Sequence, residues 1–188
     1  SRVTNEWVKE EVNNTRPITV MIPNTKTASQ YGISNADVLY EGNVEGSITR
    51  LMALFQDWSN YDRIGNVRSC RDYFVYWSFE WDSIYLHFGG PYYINEIVER
   101  KDTDHITGCS YGDKRTDGLY EGTFYRSTDK KAPHNAYASA EGIKKGIDKF
   151  NISTTYRDNY YDPNHFKFAP SKEPNTLEKY SDAVTAKE

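Results

Sequence analysis

Residues 63–81 read RIGNVRSCRDYFVYWSFEW, and within this stretch the pattern changes from strand to helix. The first five residues, 63–67, form a strand-like run. Apolar side chains then recur at helical spacing, and they are Tyr73, Phe74, Trp77, Phe79 and Trp81. The stretch therefore predicts a strand, a short turn and a helix over residues 69–80.

Two arginines, Arg68 and Arg71, occupy the turn at which this helix begins. A helix N-terminus carries partial positive charge and N–H groups without partners inside the helix. Guanidinium groups placed there need something negative nearby. Either an anionic ligand or the protein's own carboxylates should therefore lie over this turn, which makes it the first candidate for a functional site.

Outward from this stretch, apolar runs predict a mixed sheet with packed helices. Strands are predicted at 18–22, 38–45, 49–56 and 83–88, and further helices at 92–100 and 140–150. Residues 50–56 also fit a helix, but their β-branched and aromatic flanks favour a strand, and Gly46-Ser47 suits a hairpin tip before it. This order predicts an α/β (α+β) fold, a layered sandwich with helices packed on a mixed β-sheet.

The ends of the chain and one internal segment lack such periodicity. Residues 1–16 are polar and predict a leader or arm, and residues 17–165 hold the α/β domain. Residues 102–128 are rich in Gly and Asp, which predicts a long irregular loop or insertion. The last dozen residues are polar, and residues 166–188 are interpreted as a linker.

Charge and composition bear on the class of partner. The 188-residue chain has a net charge of −4 and no basic stripe, which argues against nucleic acid. No apolar run approaches the roughly 20 residues that span a bilayer. With 16 Tyr, 8 Phe and 4 Trp, the chain suits either an aromatic core or a surface for sugars or peptides, and packing is the commoner use.

Familiar catalytic and metal-binding motifs are absent from the sequence. It contains no H-E-x-x-H, C-x-x-C or G-x-S-x-G and no Gly-rich phosphate loop. Asp102-Thr103-Asp104-His105 faintly resembles a metal cluster, but a solvated loop is the commoner meaning of such a stretch. Cys70 and Cys109 could pair in an exported protein or stay as free thiols. We predict no metal and no cofactor.

Polar residues on the predicted strand ends and turns form the candidate site. The candidate anion-binding residues are Arg50, Arg68, Arg71, His87, His134 and Asn135, and the supporting carboxylates are Glu41 and Glu45. If the strands share one sheet, these residues can converge on a concave surface that binds phosphate or carboxylate and supports acid–base chemistry. The alternative is an internal salt-bridge network, because buried arginine needs carboxylate partners. The residues alone leave both possibilities open.

Short blocks along the chain resemble, in the same order, motifs of the YerB-type lipoproteins of Gram-positive bacteria. The blocks are Arg16-Pro17-Ile18, the Asn24 turn, Gly32-Ile33-Ser34, Ala36-Asp37-Val38-Leu39-Tyr40-Glu41, Val44-Glu45-Gly46-Ser47-Ile48-Thr49-Arg50, Ile64-Gly65-Asn66-Val67-Arg68-Ser69-Cys70-Arg71, His87-Phe88-Gly89-Gly90 and Pro133-His134-Asn135. The resemblance covers roughly residues 16–150. The family often has Ala and Pro where this chain has Cys70 and Asp72, and Gly where it has Ser47, but the arginines match.

This resemblance implies location and architecture, because the family's function is unknown. It implies an exported protein held by an N-terminal lipid anchor on the extracellular face of the cell membrane. It also implies a mixed α/β domain of about this length, followed by a smaller, mostly β C-terminal domain. On that basis residues 166–188 are expected to lead toward a domain that this chain lacks.

Two functions from different classes remain open. The first is a surface binding module whose arginine turn recognises an anionic envelope component or a protein partner. The second is a phosphotransferase-like enzyme acting on a phosphate-bearing envelope substrate, since the strand–turn–helix with Arg71-Asp72 is faintly similar to the LytR-CpsA-Psr phosphotransferases. Magnesium distinguishes them, because an enzyme of that kind should bind anions more tightly with a metal held by Asp72 or Glu41.

Overall fold

The structure, a computed structural model, describes residues 1–109, 119, 122–169 and 173. The strands are β1 (Ile18–Asn24), β2 (Val38–Val44), β3 (Ile48–Phe55), β4 (Ile64–Gly65), β5 (Ile84–His87), β6 (His105–Thr107), β7 (Phe124–Arg126) and β8 (Ala136–Ala138). The α-helices are α1 (Glu10–Asn14), α2 (Asp72–Phe79), α3 (Asn95–Val98) and α4 (Ala140–Phe150). Short 3-10 turns cover Ile33–Asn35 and Tyr92–Ile94.

The strands form two sheets, and the larger one is mixed. Its order is β2-β3-β1-β5-β6, and β4, β8 and β7 form a smaller sheet beside it. The central strand β1 is antiparallel to β3 but parallel to β5, and β5 is parallel to β6. The carboxyl ends of these three parallel strands therefore meet at one edge, where open α/β sheets commonly bind ligands.

Apolar side chains leave the larger sheet on both faces and bury two cores. Alternation along β1 places Ile18, Val20 and Ile22 in one core, with residues of the small sheet and α4. Met21 lies in the other core, with residues of α2 and α3. The sheet is thus covered on both sides, and the predicted layered α/β sandwich is confirmed.

Helix α2 packs on β2 through its aromatic residues. Phe74 is fully buried, whereas Trp77 is half-buried. The Trp77 ring stacks on Tyr40, with 5.5 Å between ring centroids, and meets the edge of Phe74 at 5.0 Å. Gly42 permits this approach, because a Cβ at that position would stand 3.0–3.2 Å from the rings of α2.

Most of the predicted elements are present, with shorter ends. Residues 48–55 form strand β3, as their β-branched and aromatic residues indicated, and a hairpin turn that includes Gly46 leads into it. The predicted helix over 92–100 is shorter, with a 3-10 turn and four α-helical residues. The Thr103 hydroxyl donates to the Ile97 carbonyl at 2.9 Å, which takes an acceptor that a longer helix would use.

The prediction of an irregular loop over residues 102–128 is wrong at its two ends. His105–Thr107 forms β6 alongside β5, and Phe124–Arg126 forms β7 alongside β8. Strands of three residues are too short to show alternation, and here they are formed by pairing with distant strands. Residues 110–118, 120 and 121 lie outside the described residues.

Residues 102–105 are also not the solvated loop that we predicted. His105 is buried and hydrogen-bonded to His87. Asp104 accepts a hydrogen bond from Arg16 at 2.6 Å and forms an ion pair with Arg157 at 3.2 Å. The side chains of Asp104 and His105 therefore belong to internal contacts of the fold.

A buried ion network joins the N-terminal segment to the rest of the domain. The Arg16 side chain is fully buried, and its Nη2 lies 3.1 Å from Asp82 Oδ1. Asp82 also accepts hydrogen bonds from Arg157, at 2.7 Å from Nε and 2.8 Å from the backbone N. The network comprises Arg16, Asp82, Asp104 and Arg157, and it connects four separate stretches of the chain.

Candidate functional site

Residues 68–71, which we call the arginine segment, lie between β1 and β5 at the carboxyl edge of the larger sheet. Arg68 N donates to Met21 O, and Arg68 O accepts from Phe88 N, each at 2.9 Å. Cys70 N then donates to Gly89 O at 2.9 Å. These backbone bonds fix the segment in the crevice between the two strands and hold its side chains at the sheet edge.

Arg50 reaches the same place from β3. It stands opposite Pro23 at the carboxyl end of β1, and 7% of it is exposed. Its Nη1 donates to the Ser69 carbonyl at 2.6 Å. Burial, followed by the charges of Arg71 and Arg68, lowers the pKa of Arg50 to about 10. We call Arg50, Arg68 and Arg71 the arginine cluster.

Arg71 is the member of the arginine cluster with a carboxylate partner. Its Nε donates to Glu45 Oε1 at 2.8 Å, and its Nη2 donates to Glu45 Oε2. The hydrogen bond from Arg71 lowers the pKa of Glu45 to about 2. The Glu45 side chain is 67% exposed, so water and salt screen this pair and it contributes little to stability.

Arg68 is half-buried and binds a backbone carbonyl. Its Nη1 donates to Pro133 O at 2.9 Å, and burial, followed by the charge of Arg71, lowers the pKa of Arg68. In the part of the chain that the structure describes, neither Arg50 nor Arg68 forms an ion pair with a carboxylate. The cluster therefore holds three guanidinium groups and one paired carboxylate.

Glu41, the other proposed supporting carboxylate, faces different partners. Its Oε1 accepts from Asn24 Nδ2 at 2.9 Å and from the Thr49 hydroxyl at 2.5 Å. Asn24 Nδ2 is also 2.8 Å from the Thr49 hydroxyl. Glu41 thus fixes the edge of the sheet beside the arginine cluster through neutral hydrogen-bond donors.

His87 is buried beneath the site. Its Nδ1 lies 2.8 Å from Gly89 O, which makes Nδ1 the protonated nitrogen, and its Nε2 lies 3.0 Å from His105 Nδ1. Burial lowers the pKa of His87 to about 4. A neutral, buried ring with both nitrogens engaged supports the loop at Gly89 and cannot supply a cation to a ligand.

The Pro133-His134-Asn135 stretch contributes its backbone to the site. Pro133 O receives the bond from Arg68, and His134 is exposed. The Asn135 amide is used internally, since its Oδ1 accepts from Arg126 at 2.7 Å and its Nδ2 donates to Ser127 O at 2.8 Å. The structure therefore brings together the arginine cluster, Glu45 and the Pro133 carbonyl.

Two exposed tyrosines that lie near the arginine segment in the fold were not predicted from the sequence. Tyr92 and Tyr93 follow Gly89-Gly90-Pro91, and both are exposed. The turn before them lies against the arginine segment, because Cys70 N donates to Gly89 O at 2.9 Å. The Gly-Gly-Pro sequence before a Tyr pair was the available signal.

The two cysteines are free thiols in different environments. Cys70 lies in the arginine segment and is buried against Gly90, whereas Cys109 is exposed. Gly90 is required there, because a Cβ would stand 2.5 Å from Cys70 Sγ. Burial raises the pKa of Cys70 to about 12.

We therefore expect a thiol reagent such as DTNB to modify one cysteine in the folded protein and two in denaturant. The thiolate is the reactive form, and the raised pKa together with burial protects Cys70 at neutral pH. Cys109→Ser should abolish the reaction of the folded protein. Rapid modification of two thiols without denaturant would contradict the buried position of Cys70.

A cavity among the described residues lies away from the arginine cluster. It has a volume of about 940 Å³, and Trp7, Trp58 and Glu141 are among its lining residues. Within the described residues, no three His, Cys, Asp or Glu side chains are grouped so that they could hold a metal ion. In the same residues, no helix is long and apolar enough to cross a bilayer.

The fold and the arginine segment at the sheet edge define a mixed α/β domain, and comparison with known proteins identifies its family. The family described as "Protein of unknown function (DUF3048) N-terminal domain" matches residues 3–153. The chain therefore belongs to this family, and the resemblance stated from the short sequence blocks is confirmed.

Two similar proteins carry the name YerB and come from Bacillus subtilis. The chain is 35% identical over 142 residues to "Putative lipoprotein YerB" of strain 168, across 75% of this chain and 40% of that protein. It matches the crystal structure of the YerB protein with a TM-score of 0.72 and 31% identity, over 84% of this chain and 51% of that one. The chain thus spans about half of these relatives or less.

Proposed function

We propose that this domain binds an anionic component of the bacterial cell envelope through the arginine cluster. The charge of the cluster supports the proposal. Glu45 pairs with Arg71, whereas Arg50 and Arg68 have carbonyl oxygens as partners among the described residues. Two cations at a sheet edge without a carboxylate partner favour an external anion.

The hydrogen-bonding capacity of the cluster agrees with this proposal. A guanidinium group carries five N–H donors, and Arg68 uses one of them on Pro133 O. The remaining donors suit the oxygens of a phosphate or a carboxylate. A protein partner that presents carboxylates would use the same donors.

Location supports an envelope ligand. One relative carries the name "Putative lipoprotein YerB", and we propose that the complete protein is held by lipid on the outer face of the cell membrane. Digestion of intact cells by an added protease should then remove the domain. Protection of the domain until the cells are lysed would contradict this location.

We expect phosphate or pyrophosphate to raise the melting temperature at low ionic strength, because a ligand that binds only the folded state stabilises it. At ten times the Kd, the rise should be about 3–6 °C for a protein of this size. Arg68→Gln/Arg71→Gln should show no rise. Glu45→Gln should show a larger rise, because it frees Arg71 from its carboxylate.

Arg100→Gln provides the matched control. Arg100 pairs with Asp102 on the surface, so this variant changes the net charge without touching the cluster and should respond to phosphate like the wild type. Equal shifts in the melting temperature of the wild type and of the double variant would contradict the proposed anion site and favour an internal network of charges. A rise that requires Mg²⁺ would favour the phosphotransferase instead.

A further inference from the structure

Two exposed tyrosines follow the Gly89-Gly90-Pro91 turn, which packs against the arginine segment. The exposed fraction is 83% for Tyr92 and 47% for Tyr93, and the two rings meet edge to face at 5.9 Å. Their turn is held against the arginine segment, because Cys70 N donates to Gly89 O and Gly90 contacts Cys70 Sγ. The backbone turn that leads to the two rings is therefore fixed against the segment that carries Arg68 and Arg71.

Exposed rings on a fixed backbone turn suit a particular kind of contact. Tyr offers an apolar ring face and a polar hydroxyl, and it loses little conformational entropy when it becomes ordered. The C–H face of a sugar ring packs on such a surface while its hydroxyl groups accept and donate hydrogen bonds. Inorganic phosphate alone would leave these rings without a role.

We infer that the ligand of the arginine cluster is a phosphorylated saccharide, with its phosphate on Arg68 and Arg71 and its sugar ring on Tyr92 and Tyr93. This inference rests on the proposed anion site and adds the chemical class of the ligand. The phosphate supplies the acceptors that the free guanidinium donors lack, and the sugar covers the exposed rings.

Calorimetric titration with inorganic phosphate and with glucose 1-phosphate tests the inference. The wild type should bind glucose 1-phosphate about tenfold more tightly than phosphate, the gain typical of one good aromatic contact. Tyr92→Ala/Tyr93→Ala should bind both equally, with its phosphate affinity unchanged. Tyr92→Ala alone, at the more exposed position, should lose part of the preference and carries little risk to folding.

Tyr76→Ala is the matched control, since Tyr76 is 47% exposed on α2, where it contacts Phe79. It should keep the tenfold preference. Equal affinity for both anions in the wild type would overturn the saccharide inference but leave the anion site in place. Loss of phosphate binding in the tyrosine variants would also overturn the saccharide inference. Binding of phosphatidylglycerol vesicles without a preference for the sugar phosphate would assign the rings to a lipid surface. Failure of both anions would overturn the proposed function itself.

Discussion

Replacing Arg16 with alanine should lower the free energy of unfolding by about 3–5 kcal/mol, because it removes one partner from a buried ion network. The guanidinium lies within 3.1 Å of Asp82 and 2.6 Å of Asp104. The Asp82 side chain is fully buried, so the loss of Arg16 leaves its carboxylate with Arg157 alone and little water. Chemical denaturation followed by circular dichroism measures the change.

Lys144→Ala is the control for this prediction. Lys144 pairs with Asp148 one turn along α4, and both side chains are mostly exposed. Water screens such a pair, so its removal should have a far smaller effect. Arg16→Met retains most of the side-chain volume and should remain strongly destabilising if charge is the cause. Loss of less than about 1 kcal/mol in Arg16→Ala would contradict a structural role for the network.

Acid should destabilise the domain as the pH falls from about 6.5 to about 4, through His87. The unfolded imidazole takes up a proton near its ordinary pKa of 6.5, whereas burial lowers the pKa of the folded group to about 4. Between these two pH values the unfolded state binds more protons than the folded state, so the free energy of unfolding decreases as the pH is lowered. The difference between the two pKa values of His87 corresponds to a loss of about 3 kcal/mol in the free energy of unfolding.

Denaturation of wild type and His87→Gln at several pH values tests this prediction. The variant should lose most of the dependence between pH 6.5 and 4, because the side chain that takes up the proton is gone. His134→Gln removes an exposed imidazole and should keep the wild-type dependence. A parallel dependence in wild type and His87→Gln would show that other groups cause the acid effect.

Most of the larger elements could be predicted from local pattern. Strands β1 and β3 are seven and eight residues long, and their apolar and β-branched residues stand out in the sequence as continuous runs. The three-residue strands β6, β7 and β8 are too short to stand out in the sequence in this way. They depend on hydrogen bonds to other strands, and no local signal records such pairing.

The candidate site divides in the same way. The sequence placed Arg68 and Arg71 at a helix start, and the structure agrees, with Arg71 directly before α2. The sequence indicated Glu41 and Glu45 equally as carboxylate partners of these arginines. Register decides between them: Glu41 is held in β2 beside Thr49, while Glu45 lies in the turn beyond the strand and reaches Arg71.

The sequence by itself determined the α/β class, the family and the position of the arginine turn, because periodicity, turn residues and short motifs are all local features. Only the tertiary structure decided which charges are paired and which groups are buried. Arg16 meets Asp82 across 66 positions of the chain, and the same packing buries His87 and leaves Tyr92 exposed. Burial and pairing set the charge of the site, and both arise from contacts between distant segments.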